Sequence, residues 1–324
     1  MRYAAVMKSL KRNDIEGETE LPLITVITLS YNSVYLPDAI DSVLSQTYPH
    51  IEYIIADDGS ENFNTDELQN YIARHSRGNI KSFLSIHSEI NRGTVKNYND
   101  ALRKANGKYI FPLAADDQYV DEKVLFEWTS AFEKTDVPVI CAYCDNYDER
   151  MERFIGRWPR PDYANQLLKG DAQTIYRTME RIKIIPGATM ARTKTSLDSL
   201  GYFDENYRLL EDYPFAMQVL RKGIPIGFWP KSAVKRRSGG VSDLKATHPQ
   251  LLKDMELFYE NEVYRYAENP DRIKRFVLKN QKENAARLTF ESQWETAGIA
   301  KKIELCARFP KCAGRKIYHK LCKI

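Results

Sequence analysis

Two pairs of adjacent acidic residues are the candidates for chemistry in this sequence. Asp116 and Asp117 follow the apolar stretch "YIFPLAA", and Glu211 and Asp212 open a helical pattern that ends near Gly223. Neighbouring like charges repel each other, so the first pair predicts a bound cation, and hard divalent cations prefer carboxylate oxygens. The alternatives are a solvated turn or helix cap for the first pair, and stabilisation by the helix dipole alone for the second.

The sequence predicts that alternating strands and helices position these residues. Four runs rich in β-branched residues show the weak alternation of strands buried on both faces of a parallel sheet: 23–30, 51–56, 80–86 and 108–114. Apolar residues recur at helical spacing between these runs. The alternation predicts a doubly wound α/β unit over residues 23–115. Pro112 lacks an N–H, so we expect a bulge or an edge position there.

A polar cluster follows each predicted strand. These clusters read, in order, "SYNS", "DDGS", "NRG" and "DDQ". The carboxyl ends of parallel strands meet at one edge of a sheet, and ligands of doubly wound folds bind beyond that edge. The four clusters therefore predict one binding edge that includes Asp116 and Asp117.

Composition narrows the class of protein. The 324 residues are 43% hydrophobic and 28% charged, as in ordinary globular proteins, and the net charge of +4 is too small to indicate nucleic acid as a partner. Neither a signal peptide nor a run of roughly 20 apolar residues is evident, so we expect a cytoplasmic protein. Cys141 and Cys144 form a CxxC, which we interpret as ordinary cysteines; a metal or redox role is the alternative.

Five stretches have the order and spacing of family 2 inverting glycosyltransferases: "ITVITLSYNS", "VLSQTY", "IEYIIADDGS", "NRGTVKNYNDALRKANGKYIFPLAADD" and "LLEDYPFAMQVLRKG". Over residues 22–242 the chain resembles that family, in its bacterial cell-surface polysaccharide type. The resemblance implies a GT-A fold, in which a Rossmann-like nucleotide-binding half is fused to an acceptor-binding half. It divides the chain into an N-terminal arm, a nucleotide-sugar-binding half, an acceptor-binding half and a helical, basic C-terminal extension: 1–21, 22–118, 119–243 and 244–324.

The resemblance implies sugar transfer from a nucleotide-diphosphate donor, by default a UDP-sugar, to a hydroxyl of a glycan or lipid-linked acceptor. Asp212 is then the general base, which takes the hydroxyl proton as the oxygen attacks the anomeric carbon opposite the departing nucleotide. Glu211 positions the acceptor or orients the base. A non-catalytic nucleotide-sugar-binding or scaffold protein is the alternative.

The resemblance also implies a divalent metal, Mn²⁺ or Mg²⁺, with Asp116 as its ligand. Asp117 either assists or caps the helix that follows. The ion screens carboxylate and phosphate charges and stabilises the departing nucleotide. The family signature is often Asp-x-Asp, and the aligned residues here are Ala114, Ala115 and Asp116. The missing first Asp motivates the non-catalytic alternative.

Eight residues are candidates for nucleotide contacts by the same resemblance: Thr28, Tyr31, Asn32, Asp57, Asp58, Arg92, Lys96 and Asp116. Asp57 and Asp58 resemble acids that accept a hydrogen bond from the imide N–H of uracil, and a β-turn is the alternative. Tyr31 is a candidate for packing on the base, with a core tyrosine as the alternative. Lys96 stands where the family commonly has Arg, and lysine gives a point charge without a bidentate fork.

Basic residues near the C-terminal end of the chain indicate two further contacts. Arg236 and Arg237 either close over the diphosphate or form a solvated turn. In 301–324, basic residues interleaved with apolar ones predict peripheral contact with an anionic membrane, where each contributes about 1 kcal/mol. That contact would lie on the cytoplasmic face and suit a lipid-linked acceptor. A solvated helix, or an arm that contacts the second subunit of a homodimer, is the alternative.

Overall fold

The computed structural model describes residues 21–240, 248–294 and 297–314. Within these residues, nine strands form one mixed sheet in the order β3-β2-β1-β4-β8-β6-β9-β5, with β7 paired to β6. The strands are β1 (Ile24–Ser30), β2 (Ile51–Asp57), β3 (Ile80–His87), β4 (Tyr109–Ala114), β5 (Gln118–Tyr119), β6 (Val139–Tyr147), β7 (Phe154–Trp158), β8 (Ala191–Thr193) and β9 (Gly227–Arg237).

Helices cover and connect these strands. They are α1 (Leu36–Leu44), α2 (Thr65–His75), α3 (Thr94–Lys104), α4 (Val124–Glu133), α5 (Pro161–Lys169), α6 (Ala172–Met179), α7 (Ser196–Leu200), α8 (Asp212–Arg221), α9 (Pro249–Phe258), α10 (Pro270–Trp294) and α11 (Ile299–Arg308). A 3₁₀ turn (Gly187–Thr189) precedes β8, and a π-helical segment (Tyr259–Tyr264) follows α9.

The predicted alternation of strand and helix is confirmed in the first half of the sheet. β3, β2, β1 and β4 are parallel neighbours, and β1 and β2 are buried along almost their whole length. The amphipathic helices α1 and α3 bury their apolar faces, which include Val43 and Leu102. Burial of such side chains stabilises the fold by roughly 25 cal/mol per Å² of apolar surface.

Pro112 lies at a local edge, although β4 as a whole is an interior strand. β8 pairs only with Tyr109 and Ile110, so beyond that point β1 is the strand paired with β4. The pairing with β1 runs without a register shift to Ala114, so no bulge forms. A short β8 therefore accommodates a residue that cannot donate to a second neighbour.

The second half continues the same sheet. β6 pairs antiparallel with β7 and β8 and parallel with β9, while β5 pairs antiparallel with β9. Cys141 and Cys144 are buried free cysteines on β6. The predicted halves 22–118 and 119–243 thus share one sheet, and their boundary remains a prediction.

The boundary between two compact units falls between Glu262 and Val263. α9, which the sequence assigned to the C-terminal extension, belongs to the first unit. In the second unit, α10 and α11 enclose a small core around Phe290 and Leu305. Among the described residues, the helices are too short or too polar to cross a membrane.

Candidate active site

The polar clusters that follow β1 to β4 come together at the carboxyl edge of the sheet. Ser30 pairs in register with Asp57, and Asp57 pairs with His87. Leu29 pairs with Ala114, two residues before Asp116. The edge predicted from the sequence is therefore present.

Asp57 is fully buried at this edge and organises the turn that follows β2. Its Oδ2 accepts from the backbone N–H of Ser60 at 2.8 Å, and its Oδ1 accepts from the Ser60 hydroxyl at 2.5 Å. His87 Nδ1 lies 2.9 Å from Oδ2. These contacts occupy much of the accepting capacity of the carboxylate, so Asp57 holds the shape of the edge.

Asp58 organises the next loop in the same way. Its two oxygens accept from the backbone N–H groups of Arg92, at 2.8 Å, and Gly93, at 2.7 Å. Gly93 adopts φ 97° and lies against Arg208, where a Cβ would come within 2.3 Å of Arg208 Cγ. The Arg208 carbonyl in turn accepts from Val95 N–H at 3.2 Å. Asp58 therefore fixes the loop that joins this edge to the segment before Glu211.

Tyr31 and Asn32 lie at the tip of β1. Tyr31 is 51% exposed, so its ring is accessible to a ligand. Asn32 adopts φ 47°, its N–H donates to Ser60 Oγ at 2.6 Å, and its Oδ1 accepts from Glu61 N–H at 3.1 Å. Asn32 thus ties the tip of β1 to the turn after β2.

Thr28 does not reach the edge. Its side chain is fully buried, and its hydroxyl pairs with Tyr53 Oη at 3.0 Å in the core. Thr28 lies two residues before the end of β1, so the strand holds it inside the sheet. The structure does not bring it together with the other nucleotide candidates.

The Arg92 guanidinium is hydrogen-bonded to neighbouring side chains, whereas Lys96 is exposed to solvent. The Arg92 guanidinium donates to Ser88 Oγ and, at 2.5 Å, to Asp100 Oδ2. Lys96 is exposed on α3. Hydrogen bonds from Asn99 and Arg103 lower the pKa of Glu205, and the Lys96 charge adds to that effect. Arg92, in the loop before α3, is therefore oriented by Ser88 and Asp100, whereas Lys96 is exposed on α3.

The two aspartates after β4 have different surroundings. Asp117 is 3% exposed and its Oδ1 accepts from the backbone N–H of Arg237 at 2.9 Å. Burial, followed by the negative charge of Asp116, raises the pKa of Asp117 to about 8. Asp116 is half-buried, and its Oδ2 lies 3.1 Å from where a Cβ on Gly240 would be. This arrangement favours a structural role for Asp117 and leaves Asp116 as the better placed metal candidate.

Arg237 does not extend over a diphosphate, contrary to one of the two interpretations of its sequence. It is 4% exposed, and its three guanidinium nitrogens donate to the carbonyls of Asp116 and Glu149 and to the carboxylate of Asp38. The guanidinium also lies 3.8 Å from the centre of the Tyr35 ring. Its donors are thus used to hold the strand tip in place. Arg236, one residue earlier, donates to Asn146 at 3.1 Å.

Glu211 and Asp212 lie side by side, half-buried, at the start of α8. Asp212 Oδ1 accepts from the N–H of Tyr213 at 2.7 Å, and a Cβ on Gly187 would come within 1.9 Å of Oδ2. Loss of hydration raises the pKa of both carboxyls, that of Glu211 to about 8 with the charge of Asp212 as the second cause. Lys183 opposes the shift at Asp212.

α9 supports the segment that leads to this pair. Asp254 is 2% exposed, and its Oδ2 accepts from the backbone N–H groups of Arg208, at 2.9 Å, and Leu209, at 2.6 Å. Gln250 donates to the other oxygen. His248 Nδ1 accepts from Gln250 N–H and so caps the first turn of α9. The position of Glu211 and Asp212 thus depends on a helix more than 30 residues downstream.

Comparison with known proteins gives this geometry its context. Residues 25–194, more than half of the chain, match the profile described as glycosyl transferase family 2. The chain belongs to this family. It is 28% identical over 209 residues to the UDP-Glc:alpha-D-GlcNAc-diphosphoundecaprenol beta-1,3-glucosyltransferase WfaP of Escherichia coli, covering 63% of this chain and 72% of WfaP. Across the first curated relatives that it matches, the chain spans 39% to 74% of their lengths.

Solved structures share the fold of this family 2 chain. TarS of S. aureus in complex with UDP-GlcNAc aligns with a TM-score of 0.56 at 17% identity, over 79% of this chain and 70% of TarS. The mannosyltransferase PcManGT of Pyrobaculum calidifontis, in complex with GDP-Man and Mn²⁺, aligns with a TM-score of 0.56 at 16% identity, over 98% and 91%. The sheet described above is therefore a GT-A-like fold, as the resemblance implied.

A hard dication fits Asp116 as one of a few protein ligands. The carboxylate is half-buried beside Gly240, which leaves space that a side chain would fill. Across the residues described here, no three His, Cys, Asp or Glu side chains cluster as a complete metal cage. Mg²⁺ commonly takes one or two protein carboxylates and its other ligands from phosphates and water, and a single half-buried carboxylate such as Asp116 fits that pattern.

Three residues of the candidate active site were not recognised from the sequence: Lys183, Gly187 and Asp254. The Pro-Gly at 186–187 is a signal for a close backbone approach, which the structure shows against Asp212. Lys183 and Asp254 carry no comparable signal. Each acts through contacts with residues distant in sequence.

Proposed function

We propose that the protein is an inverting glycosyltransferase that moves a sugar from a nucleotide-diphosphate donor to an acceptor hydroxyl. The observation that carries the proposal is the Glu211–Asp212 pair at the start of α8 in a chain of glycosyl transferase family 2. The pair is connected to the sheet edge through Arg208, which contacts Asn91, Gly93 and Val95.

Asp212 is the general base in this proposal. Its Oδ1 is engaged by the Tyr213 N–H, and its Oδ2 lies against the Cα of Gly187. A carboxylate fixed in this way accepts the hydroxyl proton as the acceptor oxygen attacks the anomeric carbon from the face opposite the nucleotide. Configuration at that carbon inverts, and such a base typically accelerates transfer by about 10² to 10⁴-fold. Burial and the neighbouring Asp212 raise the pKa of Glu211, which favours a protonated carboxyl that donates a hydrogen bond to the acceptor.

The nucleotide lies at the carboxyl edge of the sheet in this proposal. Tyr31 stacks on the base, and Asp57 and Asp58 shape the turns around it and offer their remaining lone pairs. Asn32 supports the same turn, while Arg92 and Lys96 provide positive charge near the phosphates. Asp116 holds Mn²⁺ or Mg²⁺, which when bound neutralises charge on the departing diphosphate.

The donor class and the acceptor class follow from relatives. The name of WfaP specifies UDP-glucose and a diphosphoundecaprenol-linked sugar, and the TarS structure contains UDP-GlcNAc. We therefore propose a UDP-sugar donor and a glycan or lipid-linked saccharide acceptor. PcManGT contains Mn²⁺ together with GDP-Man, which supports a divalent metal.

The test of the base begins with a thermal-shift screen of nucleotide sugars with Mn²⁺ and Mg²⁺. With the donor that binds, transfer is measured for wild type, Asp212→Asn and Glu211→Gln. We expect Asp212→Asn to lose about 10² to 10⁴-fold in kcat with donor binding retained. Undiminished turnover in Asp212→Asn would contradict the proposal. Donor binding without turnover or donor hydrolysis in wild type would instead favour the non-catalytic alternative.

The metal is tested by titrating Mn²⁺ and UDP together into Asp116→Ala and Asp117→Asn. We expect Asp116→Ala to remove the dependence of UDP affinity on Mn²⁺, because the substitution removes the carboxylate that we propose as the metal ligand. Asp117→Asn keeps an oxygen for the Arg237 N–H and should retain that dependence. Equal Mn²⁺ dependence in wild type and Asp116→Ala would exclude Asp116 as the ligand.

We further propose peripheral contact with an anionic membrane through the start of the 301–324 segment. Ile303 in α11 is 67% exposed, and the side chain of Lys311, in the helical residues 310–314 that follow, is 81% exposed. Residues 315–324 lie outside the described part. The double variant Ile303→Ser/Lys311→Glu should float less with phosphatidylserine vesicles than wild type, with Leu278→Ser as control. Equal flotation would contradict the contact, and light scattering separates it from the homodimer alternative.

A further inference from the structure

Lys183 lies in the segment between α6 and the 3₁₀ turn, and its ammonium faces aromatic rings. Its Nζ donates to the sulfur of Met255. The distances from Nζ to the ring centres are 4.4 Å for Tyr213, 5.6 Å for Phe258 and 5.9 Å for Tyr259. Rings at these distances attract a cation through their quadrupoles.

This environment is unfavourable for a charge unless something nearby compensates it. Burial lowers the pKa of Lys183 to about 8, and within the described part of the chain no carboxylate forms a contact salt bridge with Nζ. A methionine or leucine would fill the same space without the desolvation cost. The presence of a lysine here therefore calls for a charged partner beyond contact distance.

The backbone around Lys183 points to Asp212 as that partner. Tyr213, over whose ring the ammonium lies, donates its N–H to Asp212 Oδ1. Four residues after Lys183, Gly187 packs its Cα against Asp212 Oδ2. One short segment thus contacts both the ring beside the base and the base itself.

We propose that Lys183 is a positioning residue for the general base: its ammonium, held over the Tyr213 ring, provides the positive charge that lets Asp212 remain ionised inside the site. The proposal rests on the proposed function of Asp212. It explains why a charged lysine, and not an apolar side chain, lies among these aromatic rings.

The other charges around the pair make this role necessary. Glu211 directly precedes Asp212, and Asp254 on α9 adds negative potential at Glu211, which favours the protonated form of that carboxyl. Burial raises the pKa of Tyr98 on α3, so this tyrosine is neutral at physiological pH, and Arg236 on β9 acts on Tyr213. Lys183 is the cation whose charge favours ionised Asp212. Glu211, with its raised pKa, is left as the protonated member, and such a division suits one acid and one base.

The experiment measures the Asp212 carboxyl directly, without donor or acceptor. The full chain is labelled with ¹³C at aspartate carboxyls, the Asp212 signal is assigned by its loss in Asp212→Asn, and its chemical shift is followed against pH. We expect the Asp212 pKa to rise by about one unit or more in Lys183→Met and to stay near wild type in Lys183→Arg. An Asp212 titration curve unchanged in Lys183→Met would overturn the proposal.

A reciprocal measurement keeps the proposal testable if Lys183→Met does not fold. The coupling of two charges is mutual, so Asp212→Asn must lower the pKa of Lys183, followed by ¹⁵N NMR of its side-chain nitrogen. An unchanged Lys183 pKa in Asp212→Asn would also overturn the proposal. Neither measurement involves sugar transfer, so failure here is distinct from retained transfer in Asp212→Asn, which would contradict the proposed function itself. If the proposed function of Asp212 and the proposed role of Lys183 are both correct, the acidic limb of the kcat/KM profile should move to higher pH in Lys183→Met.

Discussion

The acidic pair after β4 and the acidic pair at the start of α8 each place two carboxyls side by side, but the protein compensates their mutual repulsion in different ways. In the first, the turn directs Asp117 into the protein, where the Arg237 N–H binds it, and leaves Asp116 half-buried. In the second, both carboxyls stay half-buried together, without an arginine in contact among the described residues, and Lys183 acts from beyond contact distance.

The charge of Arg236 acts on residues near both acidic pairs. Its charge lowers the pKa of Asp117 on one side and that of Tyr213 on the other. The comparison shows that a pair of neighbouring acids indicates a function only after the surroundings of each member are known. In the first pair one acid is buried as part of the scaffold, whereas in the second both carboxyls are half-buried at the start of α8.

The largest expected effect comes from Arg237, the residue that completes the first pair. Arg237→Met removes a buried guanidinium with three acceptors and leaves the Asp38 carboxylate and two carbonyls without it. Hydrogen bonds from a charged group are worth about 1.5–3 kcal/mol each, and water replaces part of this at Asp38, whose side chain is 49% exposed. The free energy of unfolding should therefore fall by roughly 3 kcal/mol. Urea denaturation followed by tryptophan fluorescence measures it.

The control for Arg237 is Arg153→Met. Arg153 pairs with Asp148 at 3.7 Å, and its side chain is 79% exposed, so we expect at most about 1 kcal/mol. Similar losses in the two variants would mean that Arg237 does not hold the strand tip, and the contrast between the pairs would weaken.

The next effect concerns the second pair and uses Gly187→Ala. The new Cβ would come within 1.9 Å of Asp212 Oδ2, so either the carboxylate or the 3₁₀ turn has to move. Displacement of a catalytic group by about 1 Å can cost roughly 10²-fold in rate, and we expect a loss of that order in kcat. Gly156→Ala on β7 meets nothing within 4 Å and is the matched control. Equal rates in the two variants would show that Asp212 tolerates displacement.

The smallest effect is the pH dependence of stability that Asp117 contributes. Its pKa is about 8 in the folded protein against an ordinary 3.8, so the folded protein binds a proton that the unfolded chain releases. The stabilisation is complete below the unfolded pKa and is lost as pH rises through about 8. The amide introduced by Asp117→Asn does not titrate. The stability of this variant relative to wild type should therefore increase between about pH 5 and pH 8, by up to about 1.4 kcal/mol per unit.

Chelator is present in these denaturation curves so that bound metal does not contribute. Asp136→Asn, at an exposed loop position, is the control and should follow the wild-type pH dependence. If Asp117→Asn runs parallel to wild type as well, Asp117 is ionised when folded. Asp117 would then resemble Asp212, the member of the second pair that we propose to be ionised.

Local pattern was sufficient to predict the first half of the sheet. The run 23–30 became Ile24–Ser30, and the run 51–56 became Ile51–Asp57, because uninterrupted β-branched residues favour strands buried on both faces. The four polar clusters were expected at one edge because parallel strands leave no other arrangement. These predictions depend on neighbours in sequence or on the direction of a strand.

The remainder depended on contacts between distant residues. Asp58 reaches Gly93 across 35 positions, and Arg237 reaches Asp38 across 199. No periodicity reports such pairs, so the inward direction of Asp117 and the burial of Arg237 were not foreseen. Thr28 was misjudged for a simpler reason, since its position two residues before the strand end places its hydroxyl against Tyr53 in the core.

The long reach of Arg237 has a consequence for how the gene can be divided. A ribosome that has completed β4 has made the acidic tip but not the side chain that supports it, which arrives on β9 more than a hundred codons later. A chimera joined at 118/119 would combine the tip of β4 from one parent with the Arg237 that supports it from another. A chimera that exchanges the first half of the sheet between relatives therefore needs β9 from the same parent.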